Sequence, residues 1–436
     1  MNSDFICKNI SKSENGELLF AGVSTKQLAA KYSTPLYLMD EDRIRELCRI
    51  YKSGVQEGFD GNAKVYYASK ANSFKAIYKI MAEEGLGIDV VSAGEIYTAF
   101  SAGFPMEKAC FHSSNKTDAD IEYAIDCGVG TFVIDNTEEL YAIDRIAAKK
   151  GIKQQIMIRI TPGIDTHTFE AVKTGKVDSK FGFAIETGQA EEVTRLALTF
   201  KNLELRGFHN HVGSQLFDSD VFFRSADIML NFIANINKKL GFMAKELDMG
   251  GGYGVRYTAN DPELDIKENL IAVGSFMKAK AKELGFTLPT ISFEPGRSIV
   301  ADAGMTLYTV GAVKKIPGYK TYVSVDGGMT DNIRFALYGA DYTIVPCNDV
   351  DEQRNMCCSI VGRCCESGDI IKENAYMPES IKRGDIIATL TTGAYHYSMA
   401  SNYNRLPRPP IVMLKGGKSR IAVKRETLAD ICALDE

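Results

Sequence analysis

No stretch of this 436-residue chain approaches the ~20 consecutive apolar residues that cross a bilayer. The opening MNSDFICKNISKSENGELLF also lacks the apolar run of a signal peptide, so neither export nor a membrane partner is predicted. There is no basic excess: the net charge is −5, which argues against nucleic acid as a partner. Any anionic ligand must then be held by local charges. The ten cysteines, at 7, 48, 110, 127, 347, 357, 358, 364, 365 and 432, contain no CxxC. Adjacent pairs chelate zinc poorly, so most of these thiols read as packing groups in a reducing, cytoplasmic compartment. No repeat at a solenoid period and no low-complexity segment is visible.

What is present is an alternation. From residue 65 short apolar runs alternate with amphipathic helical patterns. The runs are VYYA at 65, IDVV at 88, ACFHS at 109, TFVI at 131, QIMIRI at 155, LELRGFHNHV at 203, ELDMGG at 246 and TISFEPG at 290. The gap SFKAIYKIMAEEG puts Ile77, Ile80 and Met81 on one helical face. Eight β–α units in about 235 residues predict a (β/α)8 barrel over 40–298. The gap TPGIDTHTFEAVKTGKVDSKFG, rich in Gly and Thr, is a candidate active-site loop. After 298 the runs MTLYTVGAVKKI, KTYVSVDGG, YTIVP, CCSIVGR and DIIATLTTGAY are β-type. They predict a mostly β second domain, 299–436 together with 1–39, whose ELLFAGV and PLYLMD can supply further strands. The fold class is therefore α/β plus β.

Barrels of this kind carry function at the C-terminal ends of their strands. Those ends hold Lys70, Asp89, His112, Asp135, Arg159, His209, His211, Gly250 to Gly252 and Glu294, far more polarity than packing requires. Lys70 follows the buried-looking YYA. Partial desolvation there would favour the free amine that condenses with a carbonyl, against the plain reading of a solvated lysine. The triple glycine in DMGGGYG follows the seventh run, where a main-chain phosphate cradle is common, although such turns are often only tight turns. In EPGR, Glu294 can bond a protonated ring nitrogen and Arg297 can grip phosphate or carboxylate, or the two can form an ordinary ion pair. His209 and His211 form an HxH pair. A metal barrel would need further ligands that a chain with five histidines does not supply at the later strand ends, so no metal is predicted.

Together YASKAN, DVVSAGE, KFGF, HVGSQ, GGGYG, EPGRSIV, RFALYGA, CESGD and GAYHYSMASNYN, in this order, resemble the fold-type III pyridoxal-phosphate-dependent decarboxylases over most of the chain. SSNKT and Phe335 depart slightly from that pattern without touching a proposed charge. The resemblance implies that Lys70 anchors pyridoxal phosphate, that His211 stacks on its ring and that Glu294 bonds the ring nitrogen, with Asp89 in the same cofactor-binding set. It implies phosphate contacts from Ser214, from Gly250, Gly251 and Gly252, from the main chain of Glu294, Pro295, Gly296 and Arg297, and from Tyr395. Arg297, Arg334, Tyr338, Glu366 and Tyr395 would bind substrate, and Cys365 would give the final proton while Cys364 packs. The reaction implied is decarboxylation of meso-2,6-diaminopimelate to L-lysine, with D-lysine, D-ornithine or another basic amino acid as the alternative. A homodimer with shared active sites is also implied.

Overall fold

The helix predicted in SFKAIYKIMAEEG runs from Lys75 to Glu84 and buries Ile77, Tyr78, Ile80 and Met81 on one face. It stops at Gly85, whose φ of +79° closes the helix in the left-handed region that glycine enters without strain. Elsewhere helix starts follow side-chain caps: Thr117 and Asp120 bond reciprocally, and Asn136 and Asp265 accept from main-chain N–H groups one turn on.

The computed structural model describes residues 5–164 and 179–436. Each of the eight apolar runs forms a strand: β1 Ala63–Ala68, β2 Gly87–Val90, β3 Ala109–Phe111, β4 Thr131–Ile134, β5 Gln154–Thr161, β6 Leu203–His209, β7 Glu246–Asp248 and β8 Thr290–Phe293. All neighbours pair in parallel, and β8 pairs with β1 in the register Ile291 to Ala63, so the sheet closes on itself. Strands buried on both faces need near-continuous apolar sequence, and β2, β3, β4 and β8 show it. Phe183–Ala184 adds a short parallel pairing beside β5. Of the Gly- and Thr-rich candidate loop, residues 165–178 lie outside the described residues.

The barrel unit comprises 47–254 and 264–296; a second unit comprises the chain up to Glu46, 255–263 and 297–436. The second unit is mostly β. The long strand Gly304–Ile316 pairs with Leu36–Asp40 and Ile386–Leu390 along its first half and with Lys320–Val325 along its second. Two apolar clusters fill it, one around Leu36, Leu38, Met305, Leu307, Leu390 and Val412, the other around Val310, Val323, Ile360, Ile371 and Met377. Among the described residues no helix is long and apolar enough to cross a membrane.

Candidate active site

Closing the barrel brings the ends of β3, β6 and β8 together. There the Glu294 carboxylate lies between two imidazoles, His112 Nε2 at 2.7 Å from Oε1 and His209 Nε2 at 3.0 Å from Oε2. All three are buried, and the two rings meet edge to face at 4.8 Å. Asp89, at the end of β2, lies 3.9 Å from His112. Burial alone would raise the Glu294 carboxyl, but the two histidines outweigh it and hold it well below the usual carboxylate range. His112 is pushed up: burial opposes its charge, and Glu294 and Asp89 overcome that opposition. His209, disfavoured as a cation chiefly by burial, is brought down to about 4. The group is thus a carboxylate that favours the protonated form of His112 and faces a neutral His209.

Two histidines and a glutamate this close also have the makings of a metal centre. The separations decide for direct contact, a hydrogen bond from His209 and a close charge pair with His112. Ligands each ~2.0–2.1 Å from a tetrahedral zinc lie roughly 3.3 Å apart, whereas 2.7 and 3.0 Å are donor–acceptor distances. His211, the other half of the HxH pair, is not part of this cluster. Its Nδ1 accepts the Gly251 N–H at 3.3 Å, and burial together with the charges of Lys70 and Arg159 keeps it neutral, well below the usual histidine range.

The glycine turn after β7 is anchored from below. Asp248 Oδ1 accepts the Gly250 N–H at 2.7 Å and Oδ2 accepts the Ser292 hydroxyl at 2.7 Å. Gly250 has φ +68° and Gly252 φ +110°, and a Cβ on either would come within 2.6 and 2.5 Å of the Asn210 and Gly213 carbonyl oxygens. A Cβ on Gly251 would strike the Glu294 carbonyl. Only glycine fits three main chains converging here, and Gly213 brings Ser214 beside the turn. Gly296 packs as tightly: its Cβ would come within 2.9 Å of the Ala68 Cβ, and the Pro295 carbonyl accepts the Ala68 N–H at 3.1 Å. The β8 turn is thereby locked onto β1.

Lys70 corrects one expectation. It sits on the short turn Ser69–Ala71, one step beyond the end of β1, and is exposed where partial desolvation was predicted. Its neighbours on the turn, Ser69 and Ala71, are buried, and only the lysine between them is exposed. Its charge still acts on Asp89 and His211, which places it over the polar floor of the barrel. Arg159, at the end of β5, lies 3.8 Å from Asp135 and covers the Phe181 ring at 4.3 Å.

In the second unit, two buried arginines are held mainly by aromatic groups. Arg297 Nη1 donates to the Tyr257 hydroxyl at 2.5 Å and its guanidinium lies 4.7 Å from the Tyr395 ring. Arg334 Nε donates to the Tyr342 hydroxyl at 2.8 Å and faces the Tyr338 and Tyr395 rings at 5.0 and 5.2 Å. Among the described residues no carboxylate pairs with Arg334. A cation held by rings and hydroxyls keeps its attraction for a ligand carboxylate. Tyr395 reaches both arginines from a strained backbone, φ +63°. His396 beside it is buried and brought down to about 3, by burial first and then Arg334. Sequence reasoning missed all three of Tyr257, Tyr342 and His396 as site residues: Tyr342 opens the run YTIVP, quoted only as a strand, His396 lies in GAYHYSMASNYN, and Tyr257 falls in no quoted stretch. In the turn at 364–369, Cys365 and Glu366 are exposed, whereas Cys364 is half-buried and pushed up to about 11 by burial and Asp369.

Pyridoxal phosphate, the group the resemblance implies, is a flat ring with a protonatable nitrogen and a phosphate. In the barrel unit, Glu294 Oε1 and Asp89 Oδ1 are buried acceptors without a directed hydrogen bond, the first despite its close approach to His112. Such acceptors suit a ring nitrogen that carries a proton. The glycine turn offers main chain where no side chain would fit. These residues fit the group.

Known proteins bear on the same residues. Residues 41–301 match the family described as pyridoxal-dependent decarboxylase, pyridoxal binding domain. The chain is 43% identical to the diaminopimelate decarboxylase of Bacillus subtilis strain 168, over 97% of this chain and 96% of that one. It is 42% identical to that of Staphylococcus aureus strain COL, over 98% and 99%. Among solved structures, a diaminopimelate decarboxylase from M. jannaschii superposes with TM-score 0.91 at 32% identity, covering 98% of both chains. One from Helicobacter pylori complexed with L-lysine gives TM-score 0.84 at 35% identity, covering 94% of this chain and 98% of that one.

Proposed function

The chain belongs to the pyridoxal-dependent decarboxylases, and we propose that it removes carbon dioxide from meso-2,6-diaminopimelate to give L-lysine. The observation that carries the reaction class is Glu294: a buried carboxylate kept ionised by two imidazoles is a permanent partner for a protonated ring nitrogen. When bound, pyridoxal phosphate supplies the electron sink for the bond that breaks. Lys70 anchors it, neutral His211 offers a flat face to its ring, and Asp89 completes the polar floor. Ser214, Gly250 to Gly252, the main chain from Glu294 through Pro295 and Gly296 to Arg297, and Tyr395 hold the phosphate.

The far end of diaminopimelate is a zwitterion. Arg297 and Arg334, with Tyr338 and Tyr395, answer its carboxylate, and Glu366 its ammonium. The bond between Cα and the carboxylate breaks, carbon dioxide leaves, and Cα takes a proton from the Cys365 thiol, which solvent then restores. Cysteine is among the side chains that serve as general acids. Ornithine and arginine lack the distant zwitterion, so the Arg334 and Glu366 pair argues against them. The near-full-length likeness to diaminopimelate decarboxylases, one of them complexed with L-lysine, supports the same substrate.

The deciding assay is carbon dioxide release from meso-diaminopimelate against D-lysine, D-ornithine, L-ornithine and L-arginine. The highest kcat/KM is expected for the first; preference for any other overturns the substrate assignment. The chain acts as a homodimer with shared sites in the cytoplasm, readings supported by the exposure of Cys365 and Glu366 in a single chain and by ten free thiols. Mixing Lys70→Ala with Cys365→Ala protein tests the dimer. Shared sites predict that activity returns on mixing, and continued inactivity contradicts them.

A further inference from the structure

Four consecutive residues, Cys365 to Gly368, are exposed, yet the next one, Asp369, is buried at 4% exposure. Both of its carboxylate oxygens are taken by main-chain donors from two different turns. Oδ1 accepts the Met329 N–H at 2.6 Å and Oδ2 accepts the Cys364 N–H at 2.7 Å. The main chain repeats the connection: the Arg363 N–H donates to the Gly327 carbonyl at 3.0 Å, and the Gly362 N–H to the Asp369 carbonyl at 3.0 Å. Gly328 and Gly362 flank the carboxylate so closely that a Cβ on either would overlap it. From the outer side, the Cys365 N–H donates to the Asn404 Oδ1 at 2.7 Å.

We propose that Asp369 is a positioning residue for the reaction: its buried carboxylate ties the 362–369 turn to the 327–331 turn and so fixes where Cys365 and Glu366 point. A short exposed turn of small and polar residues would otherwise sample many conformations, and a proton donor works only within hydrogen-bond reach of its target. The same carboxylate holds the turn that runs on into the short helix Arg334–Tyr338, so the proposed acid and the substrate arginine share one post. Neither near neighbour of aspartate can replace it. Asparagine offers one acceptor to two N–H donors, and glutamate adds a methylene where the two glycines leave no space. The proposal rests on the assignment of Cys365 as the proton donor.

Asp369→Asn, purified with its cofactor, tests it. The visible cofactor band is expected to persist and main-chain amide exchange to quicken at 363–368 and 328–330. Turnover should fall about tenfold or more, and KM should rise as Glu366 and the turn before Arg334 lose their hold. On a Cys365→Ala background the same change should lower kcat little further, because residues acting through one geometry are not additive. Losses that multiply, or an unaltered kcat, overturn the proposal. If Asp369→Asn does not fold, Asn404→Ala decides, since it removes the outer anchor of the turn from an exposed position. It should lower kcat in the same non-additive way, and an unaltered kcat overturns the proposal. A harmless Cys365→Ala sinks the donor assignment alone; the post then stands if Asp369→Asn both loosens the two turns and lowers kcat, and falls otherwise.

Discussion

Glu294 and Glu366 are the same side chain in opposite circumstances. Glu294 is buried at a barrel strand end with an imidazole against each oxygen. Glu366 is exposed on a turn, where its carboxylate accepts the Gly368 N–H two residues away at 3.3 Å. The first is built for a charge that must be in place before any ligand arrives, because reorienting dipoles during the reaction costs rate. The second suits the role proposed for it, a charge that becomes useful only when substrate brings an ammonium to it. Permanent charge lies on rigid strands inside a low-dielectric barrel, and conditional charge lies on a turn whose buried post is the neighbouring Asp369.

Substitutions sharpen or break that contrast. The largest effect is expected from Cys365→Ala, which removes the proposed proton donor and should lower kcat by about 10²–10⁴, while Cys364→Ala should do little. Equal losses from both would mean that the two thiols had been wrongly distinguished. Glu294→Gln keeps the shape but leaves His112 without its nearest carboxylate and removes the partner proposed for the ring nitrogen. It should cost about 10²–10³, mainly in kcat. Glu366→Gln should instead raise KM for meso-diaminopimelate by roughly 10- to 100-fold, the worth of one hydrogen bond to a charged group. If steady-state kinetics show the Glu294 effect in KM and the Glu366 effect in kcat, the contrast fails.

A third carboxylate supplies the control. Glu41 in the second unit is buried and bonds Arg45 and Lys415 at 2.8 Å and Arg420 at 3.0 Å, but carries no proposed role in the reaction. Burial would raise it, and Lys415, Arg45 and Arg420 outweigh that to bring it down to about 2. With the folded value below the unfolded ~4.3, its stabilisation is complete above that range and is lost as pH falls towards 2. Two of its partners are half-exposed and screened by solvent, so Glu41→Gln should cost on the order of 1–2 kcal/mol of stability at pH 7. Thermal melts should show the gap from the parent protein narrowing at pH 3, and turnover at pH 7 should be unaltered. A gap that widens in acid contradicts the sign.

Much of the barrel was legible because each strand is a contiguous apolar run that ends in polar residues, so one pass along the chain finds both. Gly250 to Gly252 could be singled out because a tight main-chain approach excludes other residue types. The pairing of His112 and His209 on Glu294 was not legible: it depends on barrel closure, and the sequence shows only three polar residues far apart. Tyr257 and Tyr342 were missed for a related reason, since each meets its arginine through packing across loops with no period of their own. Lys70 was placed correctly in the chain but given too dry a setting, because a short turn past the strand end cannot be read from YYASKAN. The role now proposed for Asp369 stayed hidden in CESGD, where the neighbouring thiols and glutamate carry the more obvious chemistry.

Everything proposed for this chain depends on Lys70 holding pyridoxal phosphate covalently at the mouth of the barrel. Borohydride reduction of the holoenzyme, followed by digestion and mass spectrometry, tests it most directly. The cofactor is expected on the peptide that contains Lys70, with loss of the visible band. An unmodified Lys70, or an adduct on any other lysine, would contradict it.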